Sequence, residues 1–537
     1  MQQTDTLKPQ LEGTEQNDPD IEAADGSVCE LRSLKSFLAG RSRSYLERCS
    51  ERVVDTIRER DISLNTHRQM LVFLDQLSPV SKLTFFNAIL AKAIYISETE
   101  DTEERVRFLE EFFQLLEKPL EQRACLEVLC RLFLNCISLD LPQSIRSRLP
   151  YSFLKVMEHP KSSPTIRELS AGGLFNLFFQ MEDQEEEKHF LDRFITVCRN
   201  FMQEEKVTNL LLKTLVNYSH KLKEPNEKRQ YLAVMREFAA IPSSGDENQL
   251  VFAKGLSNYI MFLGEAEMEE KLRELADLRQ MIRGERFWNY AETYVHTIFK
   301  TSIDTETLEI KRHFFREYQS ILSIRNDGPA SFRETAAQFL FNHFVDVPEI
   351  EEKREVLEEM LFLWKMNEND TNVTREIARL LVNLIIDEPE ESKKRAYFML
   401  MERLATLFPA NFEIQLEYAK ALVNFSICES PVNEKMEFLK KLFALREKLE
   451  TPSVQNRQAD ILTDFLCIYA QGILIFVTLV KDPVQRQESL EQLPPIAKFK
   501  KSLFMDVFRS VLKDLLRMET EGPLRRKLEE YMQEAET

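Results

Sequence analysis
Ala419-Lys420-Ala421-Leu422-Val423-Asn424 decides how this chain is read, because the chain writes the phrase again and again. It returns as Ala378-Arg379-Leu380-Leu381-Val382-Asn383 and as Ala253-Lys254-Gly255-Leu256-Ser257-Asn258. Related phrases end on Asn135, Asn176, Asn217 and Asn342. The asparagines stand 41 residues apart from 135 to 176, 176 to 217, 217 to 258, 342 to 383 and 383 to 424. A fixed period of roughly 20–50 residues marks a repeat array, in which each unit buries its apolar face against the next.

Working outward from the phrase, Glu413 to Phe425 reads as a helix with two apolar faces. Ile414, Tyr418, Leu422 and Phe425 form one; Leu416, Ala419 and Val423 form the other. Two apolar faces suit a helix packed between two neighbours. A narrow polar stripe of Glu413, Glu417, Lys420 and Asn424 runs between them, and Asn372, Glu376, Arg379 and Asn383 repeat it one unit earlier. The small residue five before Asn (Ala171, Ala253, Ala337, Ala378, Ala419) lets helices approach closely.

Each such helix is preceded by another. Glu104–Leu116, Glu187–Phe201, Asn226–Ile241, Glu265–Met281, Glu349–Trp364, Glu390–Phe408 and Asn433–Leu449 all carry apolar residues every three or four positions. Polar breaks such as Pro160-Lys161-Ser162-Ser163-Pro164 and Asn367-Glu368-Asn369-Asp370 separate the pairs. With only 12 Gly and 20 Pro in 537 residues, strand punctuation is nearly absent. The predicted fold is all-α, a right-handed α-solenoid of stacked two-helix repeats.

The period bends in the middle. Ala291-Glu292-Thr293-Tyr294-Val295-His296 puts His in the Asn column, and a turn signal at Arg325-Asn326-Asp327-Gly328-Pro329 lengthens the next unit. Downstream, Asp464 takes the column. The expected organisation is a disordered acidic tail over 1–28, an N-terminal helical cap over 29–100, the array over 101–480 and a C-terminal helical cap over 481–537. Six arginines between Arg41 and Arg60 read as a solvated helix face or a local basic docking surface.

Four residues before Asn stands Arg131, Lys213, Lys254, Arg379 or Lys420; Gly172 and Gln338 are the exceptions. Residues four apart share a helix face. Stacked units would set a row of cations beside a row of amides. An asparagine amide both donates and accepts, so it pairs with peptide backbone, and cations favour an acidic partner segment. The alternative reading is structural: Asn bonds a neighbouring loop or helix end, and the cations keep an exposed face wet.

Phe153-Leu154-Lys155-Val156-Met157, a Ser/Pro break, and Ile166-Arg167-Glu168-Leu169-Ser170-Ala171-Gly172-Gly173-Leu174-Phe175-Asn176-Leu177 resemble an armadillo repeat. That family's last helix commonly ends Ala-x-x-Leu-x-Asn-Leu at a period of about 42 residues. The resemblance implies that Asn135, Asn176, Asn217, Asn258, Asn342, Asn383 and Asn424 line a groove for extended peptides. His296 and Asp464 depart from the column. The units are read as two-helical, without the family's short third helix, and so are also similar to HEAT repeats. Leu404-Ala405-x-x-Phe408-Pro409 followed by Glu417-Tyr418-Ala419 resembles the tetratricopeptide style, though that family's period is about 34.

A net charge of −18 argues against a general nucleic-acid binder and against adhesion to anionic membrane surfaces. The uncharged run from Phe465 to Val480 falls short of the ~20 apolar residues a membrane-spanning helix needs, and is expected to be a buried helix of the array. Eight cysteines form no Cys-x-x-Cys pair, so buried free thiols, no metal and a cytoplasmic setting are expected. No phosphate loop or nucleophile elbow is present, and no cofactor is expected. The expected function is a non-enzymatic scaffold or adaptor binding a protein or peptide segment on a concave face. The second reading is a structural subunit of a large assembly, working through its outer faces and end caps.

Overall fold
The computed structural model describes residues 41–59, 62–118, 120, 122–181, 183–241, 245–325, 327–427, 432–449, 459–496, 504–519 and 522–536. The acidic tail expected over 1–28, Cys29 and Cys428 lie outside them. Among the described residues every regular element is helical. The chain divides into two compact units, Met1–Gly255 and Leu256–Thr537.

The first unit opens with α1 (Arg43–Glu59), α2 (Leu64–Leu77) and α3 (Lys82–Glu98). Pairs follow: α4 (Thr102–Leu115) with α5 (Arg123–Cys136), α7 (Leu149–Glu158) with α8 (Pro164–Phe178), and α9 (Gln184–Arg199) with α10 (Glu205–Lys221). A four-residue helix, α6 (Gln143–Arg146), precedes α7. So the unit with the armadillo-like phrase does hold a short third helix, where two were expected. α11 (Pro225–Ala239) then leads to α12 (Asp246–Phe262), inside which the division falls.

The second unit pairs α13 (Met268–Gln280) with α14 (Phe287–Asp304), α15 (Leu308–Leu322) with α16 (Ala330–Asp346), and α17 (Ile350–Met366) with α18 (Thr371–Asp387). It continues with α19 (Glu391–Leu407) and α20 (Phe412–Ile427), then α21 (Val432–Leu449) and α22 (Ala459–Leu479). α23 (Pro483–Leu490), α24 (Phe504–Met518) and α25 (Pro523–Glu536) close it. The break before α25 is made by Gly522 at φ 114°, a backbone conformation that side chains with a Cβ rarely adopt.

The helices begin where the polar breaks predict, because those breaks supply caps. Asp101, Asp183 and Asp370 each accept two backbone N–H groups of the following first turn. Ser163 caps α8 with Pro164 at its first position, where a missing N–H costs nothing. Losing such a cap typically costs about 1 kcal/mol.

Within each unit the second helices of successive pairs pack on one another. In the first unit these are α3, α5, α8 and α10; in the second, α14, α16, α18, α20 and α22. The small residue five before Asn makes this possible: Ala171, Ala253, Ala337, Ala378 and Ala419 are each 0% exposed. Both expected apolar faces of α20 are covered, with Ile414, Leu422 and Phe425 buried on one side and Leu416, Ala419 and Val423 on the other. Burying each large side chain contributes about 1.5–3 kcal/mol.

The period also appears as side-chain contacts. First helices are joined by Lys188–Glu227 at 2.8 Å, Arg199–Glu237 at 3.0 Å, Arg279–Glu317 at 3.3 Å and Arg395–Glu434 at 2.7 Å, all pairs 38 or 39 residues apart. The arginines of α1 are exposed, as a solvated face requires.

One sequence expectation needs correcting. The uncharged run is Phe465–Val480, but the helix window Asp460–Leu479, which includes two aspartates, has 20 residues and mean hydropathy 1.9, enough by length and composition to cross a membrane. Asp460 and Asp464 sit in its first turns and do not offset the rest. α22 nevertheless packs against α20 and α21, with Phe465, Ala470, Ile473 and Val477 at 0% exposure.

Candidate partner-binding face
The repeated phrase sits on the second helices. On α5, α8 and α10 of the first unit it places Asn135, Asn176 and Asn217 at exposed or half-buried positions. On α16, α18 and α20 of the second unit it does the same for Asn342, Asn383 and Asn424. Asn258 is half-buried on α12. Because second helix packs on second helix, each unit carries its asparagines in a row. His296 and Asp464, the departures from the column, are both exposed, on α14 and α22.

The amides do not all do the same thing. Asn135 Nδ2 donates to Ser97 Oγ on α3 at 3.5 Å, a long contact. Asn383 Nδ2 donates to the Arg379 carbonyl of its own helix at 3.0 Å. Among the described residues Asn176, Asn217 and Asn342 make no side-chain hydrogen bond. The donors and acceptors of these three are open to solvent or to a partner.

The cations four before Asn are mostly neutralised. Arg131 pairs with Glu127 at 3.1 Å, Arg379 with Glu376 at 2.8 Å, and Lys420 with Glu417 at 2.7 Å, each within one helix. Lys213 reaches Glu247 on α12 at 3.1 Å. The Arg379 guanidinium also lies 4.0 Å over the ring of Phe341. Glu376 and Glu417 are buried and need these partners. Lys254 is exposed. The expected row of cations is therefore largely a row of ion pairs.

Sequence reading missed a second row on the same helices. One turn past the Asn column stand Val345, Ile386 and Ile427, exposed by 59%, 58% and 55%. Ile303 on α14 is exposed by 51%. The four follow one another at steps of 42, 41 and 41 residues. Three of them precede an aspartate that ends its helix: Asp304, Asp346 and Asp387. Lys311 Nζ donates to Asp346 Oδ2 at 2.7 Å, and Lys353 pairs with Asp387. Buried Lys271 faces the charge of Asp304, which partly offsets the effect of burial in holding its ammonium below the ordinary range. At the matching positions of the first unit stand Ser138, Phe179 and His220, of which Phe179, 60% exposed, is apolar and the other two are polar. The legible signal was a β-branched residue before Asp, recurring at the repeat period.

Among the described residues no group of three or more His, Cys, Asp or Glu is arranged to hold a metal ion. The six described cysteines are buried and free. Burial pushes the Cys125 and Cys130 thiols up to about 11 and Cys136 up to about 12, so they are protonated and poorly nucleophilic.

No family model matches this chain, and no curated protein matches it. Solved structures do. A chain of a homology model of the full-length AP-3 complex in an intermediate open conformation is 10% identical, with 97% of this chain and 93% of that one covered, at TM-score 0.29. A chain from a structure of a phosphorylation switch controlling the interaction between cadherin and beta-catenin is 14% identical, with 94% and 98% covered, at TM-score 0.34. A chain from the structure of Kap121p bound to Nup53p is 11% identical, with 98% and 69% covered, at TM-score 0.34.

Proposed function
We propose that this chain is a non-enzymatic scaffold or adaptor, which captures a protein segment along the exposed faces of its second helices. The observation that carries the reading is the row of Asn342, Asn383 and Asn424 on three helices packed one on the next. Amides at a fixed spacing can pair with successive backbone groups of an extended segment without reading its side chains. The ion pairs at Arg379 and Lys420 reduce the attraction for acidic segments, because each cation already has a carboxylate. Exposed Lys254 retains such an attraction.

The test is quantitative affinity capture from native extract, with wild type beside an Asn342→Ala/Asn383→Ala/Asn424→Ala variant and an Arg379→Glu/Lys420→Glu/Lys254→Glu variant. The amide variant should lose at least one partner that wild type retains, with an unchanged melting temperature. Identical capture profiles would sink the reading. A chain lacking 481–537 that alone loses assembly would favour the structural-subunit alternative.

A further inference from the structure
We propose that Arg41, Arg48 and Arg52 form a docking ridge for an acidic segment, and that its occupant is this chain's own stretch from Glu12 to Asp25. The proposal concerns α1 alone and stands apart from the second-helix face.

The first argument is the state of the arginines. Residues four apart share a helix face, so Arg48 and Arg52 lie along one ridge of α1, with Arg41 one heptad before Arg48. All three are exposed. Burial raises the pKa of the Cys49 thiol beneath them, while a Tyr45 hydrogen bond and the charges of Arg48, Arg41 and Arg52 oppose the rise. Three guanidinium charges therefore gather on one side of the helix. Arg41 also lies 5.0 Å over the ring of Tyr45. The acids of α1, Glu47, Glu51, Asp55 and Glu59, run four apart along the neighbouring ridge. Glu47 is taken by Arg43 at 3.0 Å. The Glu51 carboxyl is pushed up by burial and by the charges of Asp55 and Glu47, and no arginine relieves it. Among the described residues the Arg48 and Arg52 side chains make no hydrogen bond or ion pair. They stand side by side, where like charges repel. The first turn of α1 holds no acidic residue, and the N-terminal end of a helix adds partial positive charge.

The second argument is what the chain carries next to this ridge. Residues 1–40 lie outside the described residues and lead straight into Arg41. From Pro9 to Leu31 the sequence holds seven Asp or Glu and no Lys or Arg. Lys8, Arg32 and Lys35 are the cations of residues 1–40, too few to cancel those acids. Asp25 stands 16 residues before Arg41, a stretch that spans up to about 53–58 Å when extended. The ridge from Arg41 to Arg52 is only about 16 Å long, so the tether reaches all of it. A short flexible tether holds its cargo at an effective concentration on the order of mM. At physiological salt charges act over about 8 Å, so the local arginines decide the contact and the net charge of −18 does not.

The test uses the full chain at on the order of 10 mM salt, where charges act over about 30 Å. A fluorescein-labelled peptide of residues 9–31 is followed by anisotropy. In one variant the tail is neutralised by Glu12→Gln/Glu15→Gln/Asp18→Asn/Asp20→Asn/Glu22→Gln/Asp25→Asn. This chain should bind the peptide at least about tenfold more tightly than wild type, because its own tail no longer holds the ridge. Adding Arg48→Ala/Arg52→Ala should abolish that binding and close the gap between the two backgrounds. Both arginines are exposed, so the melting temperature should not change. A gap that persists without the arginines is a general effect of charge and overturns the proposal. So does an absence of binding to the neutralised chain. Equal affinity for wild type and neutralised chain overturns the tail as occupant; if Arg48→Ala/Arg52→Ala still abolishes binding, the ridge takes its acidic segment from another chain.

Discussion

Asp370 holds two elements at once. Its Oδ1 accepts the backbone N–H groups of Asn372 and Val373, capping α18, while its Oδ2 accepts Nε of Arg333 on α16 at 3.0 Å. Arg333 Nη1 in turn donates to the Gly328 carbonyl at 2.6 Å, tying down the loop that enters α16. Both side chains are only 10% exposed. The first unit repeats the arginine's part of this, with Arg167 bonded to the Ser162 carbonyl and to Glu204, whose side chain makes no cap hydrogen bond to α10. Truncating one partner of a buried pair leaves the other charge uncompensated. Arg333→Ala should therefore cost ~3–5 kcal/mol in denaturant unfolding. Asp370→Asn, which keeps the cap, should cost less. Strict additivity of the two substitutions in a double-mutant cycle would show that they do not act as a pair.

The pairs between first helices should behave differently. Arg395 and Glu434 meet in a two-point contact at 2.7 and 3.1 Å, yet the arginine side chain is 45% exposed. Water competes for both groups, and exposed pairs contribute about 0.2–1 kcal/mol. Arg395→Ala should shift the unfolding midpoint by no more than that, and less at high salt. A loss as large as that of Arg333→Ala would mean that the first-helix pairs carry the stack.

Two adjacent glycines in α8 give an opposed prediction. A Cβ on Gly173 would meet the Phe153 ring at 2.4–2.8 Å, whereas one on Gly172 would meet nothing within 4 Å. Phe153 is fully buried and has no room to retreat. Gly173→Ala should destabilise by about 1–3 kcal/mol through overpacking. Gly172→Ala should stabilise by about 0.5–1 kcal/mol, since alanine gives up less freedom in a helix. Thermal unfolding of the two variants side by side decides it, and a shared sign would refute the close approach of α8 to α7.

Much of this architecture was legible because the repeat phrase states its own packing. Ala378 and Ala419 are small where helices touch, and Leu381 and Leu422 are apolar where they bury. Asp370 and Ser163 cap helices where the polar breaks stood. What stayed hidden depended on neighbours. Glu376 and Glu417 stand three residues before Arg379 and Lys420, a spacing that permits an ion pair, but only the packed helices show that both carboxylates are buried and the pairs formed. Ile386 reads in sequence as one more buried apolar residue of α18, next to Ile385. Only the packed helices show that Ile385 turns inward at 0% exposure while Ile386 stays 58% exposed. The short helix α6 gave no periodic signal, because four residues make barely one turn.

His343 supplies a pH dependence whose direction is fixed. Its ring lies stacked 4.6 Å from Phe315 on α15 and 6.3 Å from Phe339 on its own helix, and its Nδ1 has no hydrogen-bond partner. Burial pushes its pKa down to about 4; Asp346 opposes the shift, while Arg312 and Lys311 add to it. In the unfolded chain the imidazole titrates near 6.5. Above that value neither state holds the proton, so this titration takes nothing from stability. As the pH falls from about 6.5 toward 4, the unfolded chain takes up a proton that the folded one refuses, so stability is lost. The loss at pH 5 is about 2 kcal/mol for this group alone. His343→Phe removes the titration and places an apolar ring between the two phenylalanines. Its melting temperature should fall less than that of wild type between pH 7.5 and pH 5. Part of the acid sensitivity should remain, because burial also lowers His67. Parallel pH profiles for variant and wild type would mean that His343 takes up its proton in the folded state as readily as in the unfolded one.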